Sequence, residues 1–234
     1  MALPKVETPI YTLKLPSNGM DIKYRPFIMK EEKALLFAYQ SEDEQVLNDT
    51  LKEIIKSCTL DEIDVDNVPL FDLEYIFVKL RINSVGSTAT LLSKCDVCQS
   101  STEFEVDLEK VQVTKGEDHK NDFVLFGKVG VVMKYPTYEV VQRLRALDFT
   151  NPESVIDMII EHIDYIYDEK NKYPAAETKR EELIEFINNL TQAQMNVLRD
   201  FFQGIPRLQY KTVHTCGKCG TPKDIKLEGL KSFF

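Results

Sequence analysis

The sequence predicts an α+β fold: mainly helical, with an N-terminal β-hairpin and a four-cysteine β module joined across a helical insertion. Three observations predict it. Two C-x-x-C pairs, Cys95/Cys98 and Cys216/Cys219, each lie between stretches of alternating polar and apolar residues. Apolar residues recur at helical spacing through much of the remaining chain. Near the start, two alternating runs flank the turn-forming "PSNG".

The first run carries Tyr11, Leu13 and Leu15 and the second Met20, Ile22 and Tyr24, the pattern of a hairpin. Pro26 in "YRPF" ends the second strand, because proline cannot donate to a ladder. Helical spacing follows. Leu35, Leu36 and Tyr39 share one side of "KEEKALLFAYQ". Leu47, Leu51, Ile54, Ile55 and Cys58 stripe the run from Glu42 to Cys58, with Ser41 as N-cap and Glu44 completing a capping box. A third helix, Leu70 to Ile82, carries Leu73, Ile76, Phe77 and Leu80. Such stripes read as core-facing.

"SVGSTATLLSKCDVCQSSTEFEVDLEKV" reads strand, knuckle, strand. "TKGEDHKND" is a polar linker, and "FVLFGKVGVVMKYP" a hairpin turning near Gly127 to Gly130. "TYEVVQRLRAL" is helical. Asn151 caps another helix with Pro152 at its first position, and its stripe is Val155, Ile159, Ile163 and Ile166. "DEKNKYPAAE" breaks the pattern and "KREELIEFINNL" resumes it. Thr191 and Gln194 form a capping box for the last helix, Val197, Leu198, Phe201 and Phe202 stripe it, and Gly204 with Pro206 stops it. "RLQYKTVHT" then returns as a strand into the second knuckle.

The chain has 234 residues, a formal net charge of −9 and a pI of about 5.0. That length allows one or two domains. No apolar run reaches the roughly 18 residues of a membrane span, and the first residues lack the apolar centre of a signal peptide, so synthesis in the cytoplasm is expected. No basic block marks a nucleic-acid footprint. "SEDEQ" and "LDEIDVD" read as solvated helix ends and loops.

Five cysteines without a secretion signal favour metal over disulfides. A C-x-x-C turn aims two sulfurs at one ion, and four thiolates suit tetrahedral Zn²⁺. Cys95, Cys98, Cys216 and Cys219 are therefore the expected ligands of one structural zinc in a zinc-ribbon-like module. Gly217 and Gly220 suit the second knuckle, whereas Asp96 and Gln99 hold the same places in the first. An iron–sulfur cluster and unliganded or redox thiols are the alternatives. Cys216 lies 118 positions after Cys98, against a usual spacing of roughly 15–20 residues. Loop-closure entropy grows only logarithmically, so the reach is tolerable. The expected organisation is a discontinuous domain, 1–110 with 207–234, and an inserted hairpin and helical domain, 111–206, fastened at its ends by the metal. Cys58 reads as a core thiol and His214 as a neighbour of the knuckle rather than a ligand.

His119 and His162 stand isolated, and no H-E-x-x-H, phosphate loop, nucleophile elbow or dinucleotide fingerprint appears. No enzyme is expected. Two surfaces are candidates for binding partners. Arg25 and Phe27 are interface anchor types, the alternative being a local ion pair and a core ring. Phe233 and Phe234 close the chain and either pack on the ribbon or anchor in a partner.

Four stretches carry a resemblance: "LPSNGMDIKYRPFIMKEEKALLFAYQSED", "DLEYIFVKLRINSVGS", "CDVC" and "HTCGKCG". In these the chain resembles the T4-like bacteriophage baseplate hub assembly protein family. The resemblance runs from the first hairpin to the last cysteine pair and is weakest over about 111–190. It implies a late, non-enzymatic protein of contractile-tail morphogenesis that contacts other baseplate hub or tape-measure proteins. Its place would be the host cytoplasm during assembly, and then the virion baseplate if it is retained. The competing reading, from the cysteines alone, is a zinc-ribbon protein that binds nucleic acid or modulates transcription.

Overall fold

The computed structural model of the chain describes residues 6–60, 62–116, 119–145, 147–148 and 150–233. The fold is α+β, with seven α-helices and eleven strands among the described residues. It is not mainly helical: 39% is helix and 27% strand, and strands occupy a stretch read as helix, Ile163–Tyr167, and two where no strand was expected, Gln112–Thr114 and Lys172–Pro174. The chain divides into two compact units, Met1–Thr114 with Arg207–Phe234, and Lys115–Pro206.

Strands β1 (Tyr11–Lys14) and β2 (Asp21–Tyr24) form the expected hairpin, with Leu13 opposite Ile22 and both buried. Its turn is tied to the next layer. The Ser17 amide donates to Asp72 Oδ1 at 3.1 Å, and the Ser17 hydroxyl donates to the other carboxylate oxygen. Three helices follow: α1 (Met29–Gln40), α2 (Glu44–Cys58) and α3 (Leu70–Ser84). Asp43, not Ser41, caps α2, accepting from the Gln45 and Val46 amides at 2.8 and 3.3 Å. Ser41 instead closes α1, its hydroxyl donating to the Ala38 carbonyl at 2.7 Å. Glu42 then turns the chain with a φ of 55°, leaving the carboxylate of Asp43 at the positive end of α2.

Strands β3 (Thr88–Lys94) and β4 (Ser101–Asp107) flank the first knuckle. The three-residue β5 (Gln112–Thr114) comes next, where no strand was expected, and it ends at the first residue of the stretch read as a linker. Residues 111–114 belong to the cysteine-bearing unit rather than to the insert.

Within the insert, β6 (Asp122–Phe126) and β7 (Val129–Met133) make the expected hairpin, turning at Gly127 and Lys128. Helices α4 (Tyr138–Arg145) and α5 (Pro152–Glu161) follow. Asn151 caps α5 through the Glu153 amide, as its sequence indicated. The helix does not continue to Ile166. It ends at His162, and β8 (Ile163–Tyr167) pairs with β7 and with β9 (Lys172–Pro174). The reason is a bulge. Met133 faces Ile163 and Val132 faces Tyr165, so Asp164 is extra, and Ile163 and Ile166 both turn inward. A bulged strand thus imitates the three-residue spacing of a helix. Helices α6 (Arg180–Asn188) and α7 (Gln192–Gln203) complete the insert, and the Thr191/Gln194 capping box is present. One apolar cluster unites β6, β7, α5, β8, α6 and α7, including Phe123, Val131, Met133, Ile159, Ile163, Leu198 and Phe201.

The chain then re-enters the first unit as β10 (Arg207–Thr215), turns, and ends with β11 (Pro222–Glu228) and a short 3-10 turn. The sheet order is β11-β10-β5, with Arg207 opposite Thr114 and Gln209 opposite Gln112. The two chain positions that bound the insert are therefore ladder partners. Val106, Leu108, Val111, Leu208 and Phe233 form a core under the ribbon.

Candidate metal centre

The two knuckles have the same backbone. In the first, the Cys95 amide donates to the Ser100 carbonyl at 2.9 Å and the Gln99 amide to the Cys95 carbonyl at 3.0 Å. In the second, Cys216 donates to Thr221 and Gly220 to Cys216, both at 2.9 Å. Each turn has its fourth residue after the leading cysteine in the left-handed region, Gln99 at φ 58° and Gly220 at φ 72°. Glycine adopts that conformation freely, whereas glutamine pays a strain of about 1–2 kcal/mol. The Gln99 side chain offsets part of it by donating to the Asp96 carbonyl at 2.9 Å.

These turns bring four sulfurs together. Cys95 Sγ lies 3.6 Å from Cys219 Sγ, Cys98 Sγ lies 3.7 Å from Cys216 Sγ, and all four lie within 4.8 Å of one another. A tetrahedron with metal–sulfur bonds of about 2.3 Å has sulfur–sulfur edges of about 3.8 Å. A disulfide would need about 2.05 Å. The spacing fits four thiolates around one ion, and no imidazole or carboxylate belongs to the set.

Neighbouring groups favour at Cys216 and Cys98 the thiolate form that a metal requires, whereas at Cys95 the amides of Cys98 and Val97 pull down but burial and the thiols of Cys219 and Cys98 leave the group raised. The Ser100 hydroxyl, followed by the amides of Cys219 and Lys218, pulls the Cys216 thiol down to about 5. Cys98 is also lowered, first by the Ser100 hydroxyl, 2.8 Å from its sulfur, and then by the Ser100 amide. Thr221 Oγ1 lies 3.3 Å from Cys219 Sγ. Ser100 and Thr221 were not singled out from the sequence. The signal was present, since a hydroxyl residue stands two positions after each cysteine pair.

His214 is not a ligand. Its Nε2 is 2.8 Å from Thr102 Oγ1 and its ring centroid 5.2 Å from that of Phe104, so it joins β10 to β4. Lys223 makes a second link across the knuckles, donating to the Lys94 carbonyl and pairing with Asp96 at 3.0 Å. Cys58 lies away from the cluster in the helical layer, and burial pushes its thiol up to about 11.

The candidate partner-binding residues have places inside the chain. Arg25 pairs with Glu31 at 2.7 Å and also donates to Ser57 and to the Pro26 carbonyl. Phe27 is buried and stacks on Phe77 with centroids 6.4 Å apart. Phe233, for which packing on the ribbon and anchoring in a partner were the two expectations, is 1% exposed and packs against Val106, Leu108 and Leu208. Beside it, the Leu230 amide donates to Glu74 at 3.0 Å and holds the final turn. Phe234 lies outside the described residues.

No curated protein and no solved structure matches the chain. No helix among the described residues is long and apolar enough to cross a membrane. The family model described as T4 bacteriophage base plate protein matches residues 8–234, nearly the whole chain, and the chain therefore belongs to that family.

Proposed function

We propose that this baseplate protein is a non-enzymatic structural and assembly component of the hub of a contractile phage tail, working through contacts with other hub or tape-measure proteins. The observation that carries this reading is the family match over residues 8–234. The protein acts in the host cytoplasm while the tail is built and in the baseplate of the virion. Cys95, Cys98, Cys216 and Cys219 hold one Zn²⁺, which closes the two knuckles and catalyses nothing. A set of four thiolates leaves no open position for a substrate, as structural zinc sites do.

Tagged protein recovered from infected cells should bring hub or tape-measure proteins with it. Consistent recovery of no tail protein would sink the assembly role. The purified protein should be colourless with about one zinc per chain, whereas a brown protein containing iron would replace zinc by a cluster. Salt-sensitive retention on DNA or RNA would favour the nucleic-acid reading instead.

A further inference from the structure

Helix α1 is 12 residues long, yet Ala38 is its one buried side chain. A helix is normally held in a fold by burying its apolar face. Here that face lines an open groove. Glu32, Leu35, Leu36 and Tyr39, spaced i, i+3, i+4 and i+7, stand along it, facing Leu47 and Leu51 of α2 and Phe77 of α3, and Arg81 of α3, also in the lining, donates to the Gly86 and Thr88 carbonyls. The cavity is about 590 Å³, within the range of pockets that take large apolar groups. Leu36 and Tyr39 remain 56% and 67% exposed. A second cavity shares Tyr39 and Leu47 with the first and is rimmed by Glu42, Asp43 and Glu44. The apolar channel thus has an acidic mouth.

We propose that this groove docks an amphipathic helix of another protein, with its apolar stripe in the channel and lysine or arginine residues over Glu42, Asp43 and Glu44. An apolar channel between helices suits a helix laid in a groove, read at i, i+3, i+4 and i+7. The rim selects the charge. A second copy of this chain would bring its own acidic mouth and a net charge of −9, so like charges oppose self-association through this face. The inference deepens the assembly reading and rests on it only for the claim that the chain works through protein contacts.

Two designed helical peptides test it on the full chain by fluorescence anisotropy. Both carry the same leucine stripe; one ends in a lysine cluster and its twin in glutamates. The lysine peptide should bind, more weakly as salt rises, and by roughly tenfold more weakly after Leu36→Asp. Leu36 is largely exposed, so that variant keeps its fold, and unchanged zinc content checks this. The glutamate twin should bind at least roughly tenfold more weakly than the lysine peptide. No binding of the lysine peptide, equal binding of the twin, or indifference to Leu36→Asp would overturn the proposal. So would a dimer in sedimentation that Leu36→Asp dissolves, since the occupant would then be a second copy. None of these outcomes bears on recovery of tail proteins from infected cells, so the two readings fail separately.

Discussion

Residues Lys115–Pro206 close around one apolar cluster where Phe123, Met133, Ile159, Leu198 and Phe201 meet, whereas the ribbon tips in the other unit meet through four sulfurs. Apolar burial is non-directional and divides its stabilisation among many contacts. A ligand set is directional and all-or-none: three thiolates do not close a tetrahedron. The two units should therefore answer the same insult differently, and each experiment below tests that difference.

The largest effect is expected at the sulfurs. Cys216→Ser should abolish stoichiometric zinc binding and cost the cysteine-bearing unit more than about 4 kcal/mol, the range reserved for lost metals and similar failures. Amide exchange across 115–206 should stay as it was. Equal loss of protection in both units would show that the insert leans on the metal, and the contrast would fall.

Gly204→Ala probes the insert from within. A Cβ there would lie 2.5 Å from His119 Nδ1, whose ring packs on Tyr135 and Phe201. Overpacking of this kind costs about 1–3 kcal/mol, and thermal melts should show it with zinc content unchanged.

Mild acid should separate the units by sign. Burial pushes His162 down and, with help from Lys115, His119 too. Below about pH 6.5 the unfolded insert therefore binds more protons than the folded one. Their contribution is complete above that pH and is lost as pH falls toward the folded values. In the other unit burial pushes Asp72 and Glu74 up, against hydrogen bonds from Ser17 and from the Leu230 amide. There the folded form binds more protons, so these two groups favour folding as pH falls from neutral toward about 4. Melts between pH 7 and 6 with zinc present, followed by resonances from each unit, should show loss in the insert alone. His162→Gln should weaken that response, and an unchanged slope would remove His162 from the account.

The smallest expected effect sharpens the likeness of the two knuckles. Gln99→Gly should change stability by no more than about 1 kcal/mol, relief of the left-handed strain being offset by a freer unfolded chain. Gly220→Gln should destabilise by about 1 kcal/mol, with guanidinium titration as the readout. Equal and opposite shifts would mark the two turns as interchangeable.

What the sequence shows of this molecule depends on how local the cause is. Thr191 and Gln194 satisfy each other within one turn, and the cysteine pairs sit in self-contained five-residue turns, so both are legible. Ile163 and Ile166 mislead because a bulge places them three apart on one face of a strand. Gln112, Val113 and Thr114 offer one apolar residue and no pattern; β10, far along the chain, makes them a strand. The loss of the N-cap role at Ser41 follows from a turn at Glu42 that no propensity announces. Asp72, in the first turn of α3, is buried under the hairpin turn at Ser17, a contact between residues 55 positions apart. The sulfur tetrad is legible in its ligands and hidden in its support, since His214 and Lys223 bridge hairpins that only the fold brings together.

The β5–β10 ladder changes what the wide cysteine spacing means. Once Gln112 lies beside Gln209, the chain between them no longer counts toward closing the sulfur cluster. The shortest path from Cys98 to Cys216 runs along β4 and a 3-10 turn into β5, across a rung and up β10, about 20 residues of contour, and a closed loop of that size falls near the roughly 15–20 residues of an ordinary zinc ribbon. On the proposed zinc reading, the protein would hold a conventional ribbon whose hairpin loop has grown into a domain. A short turn joining Thr114 to Arg207 should leave a metal-binding protein behind.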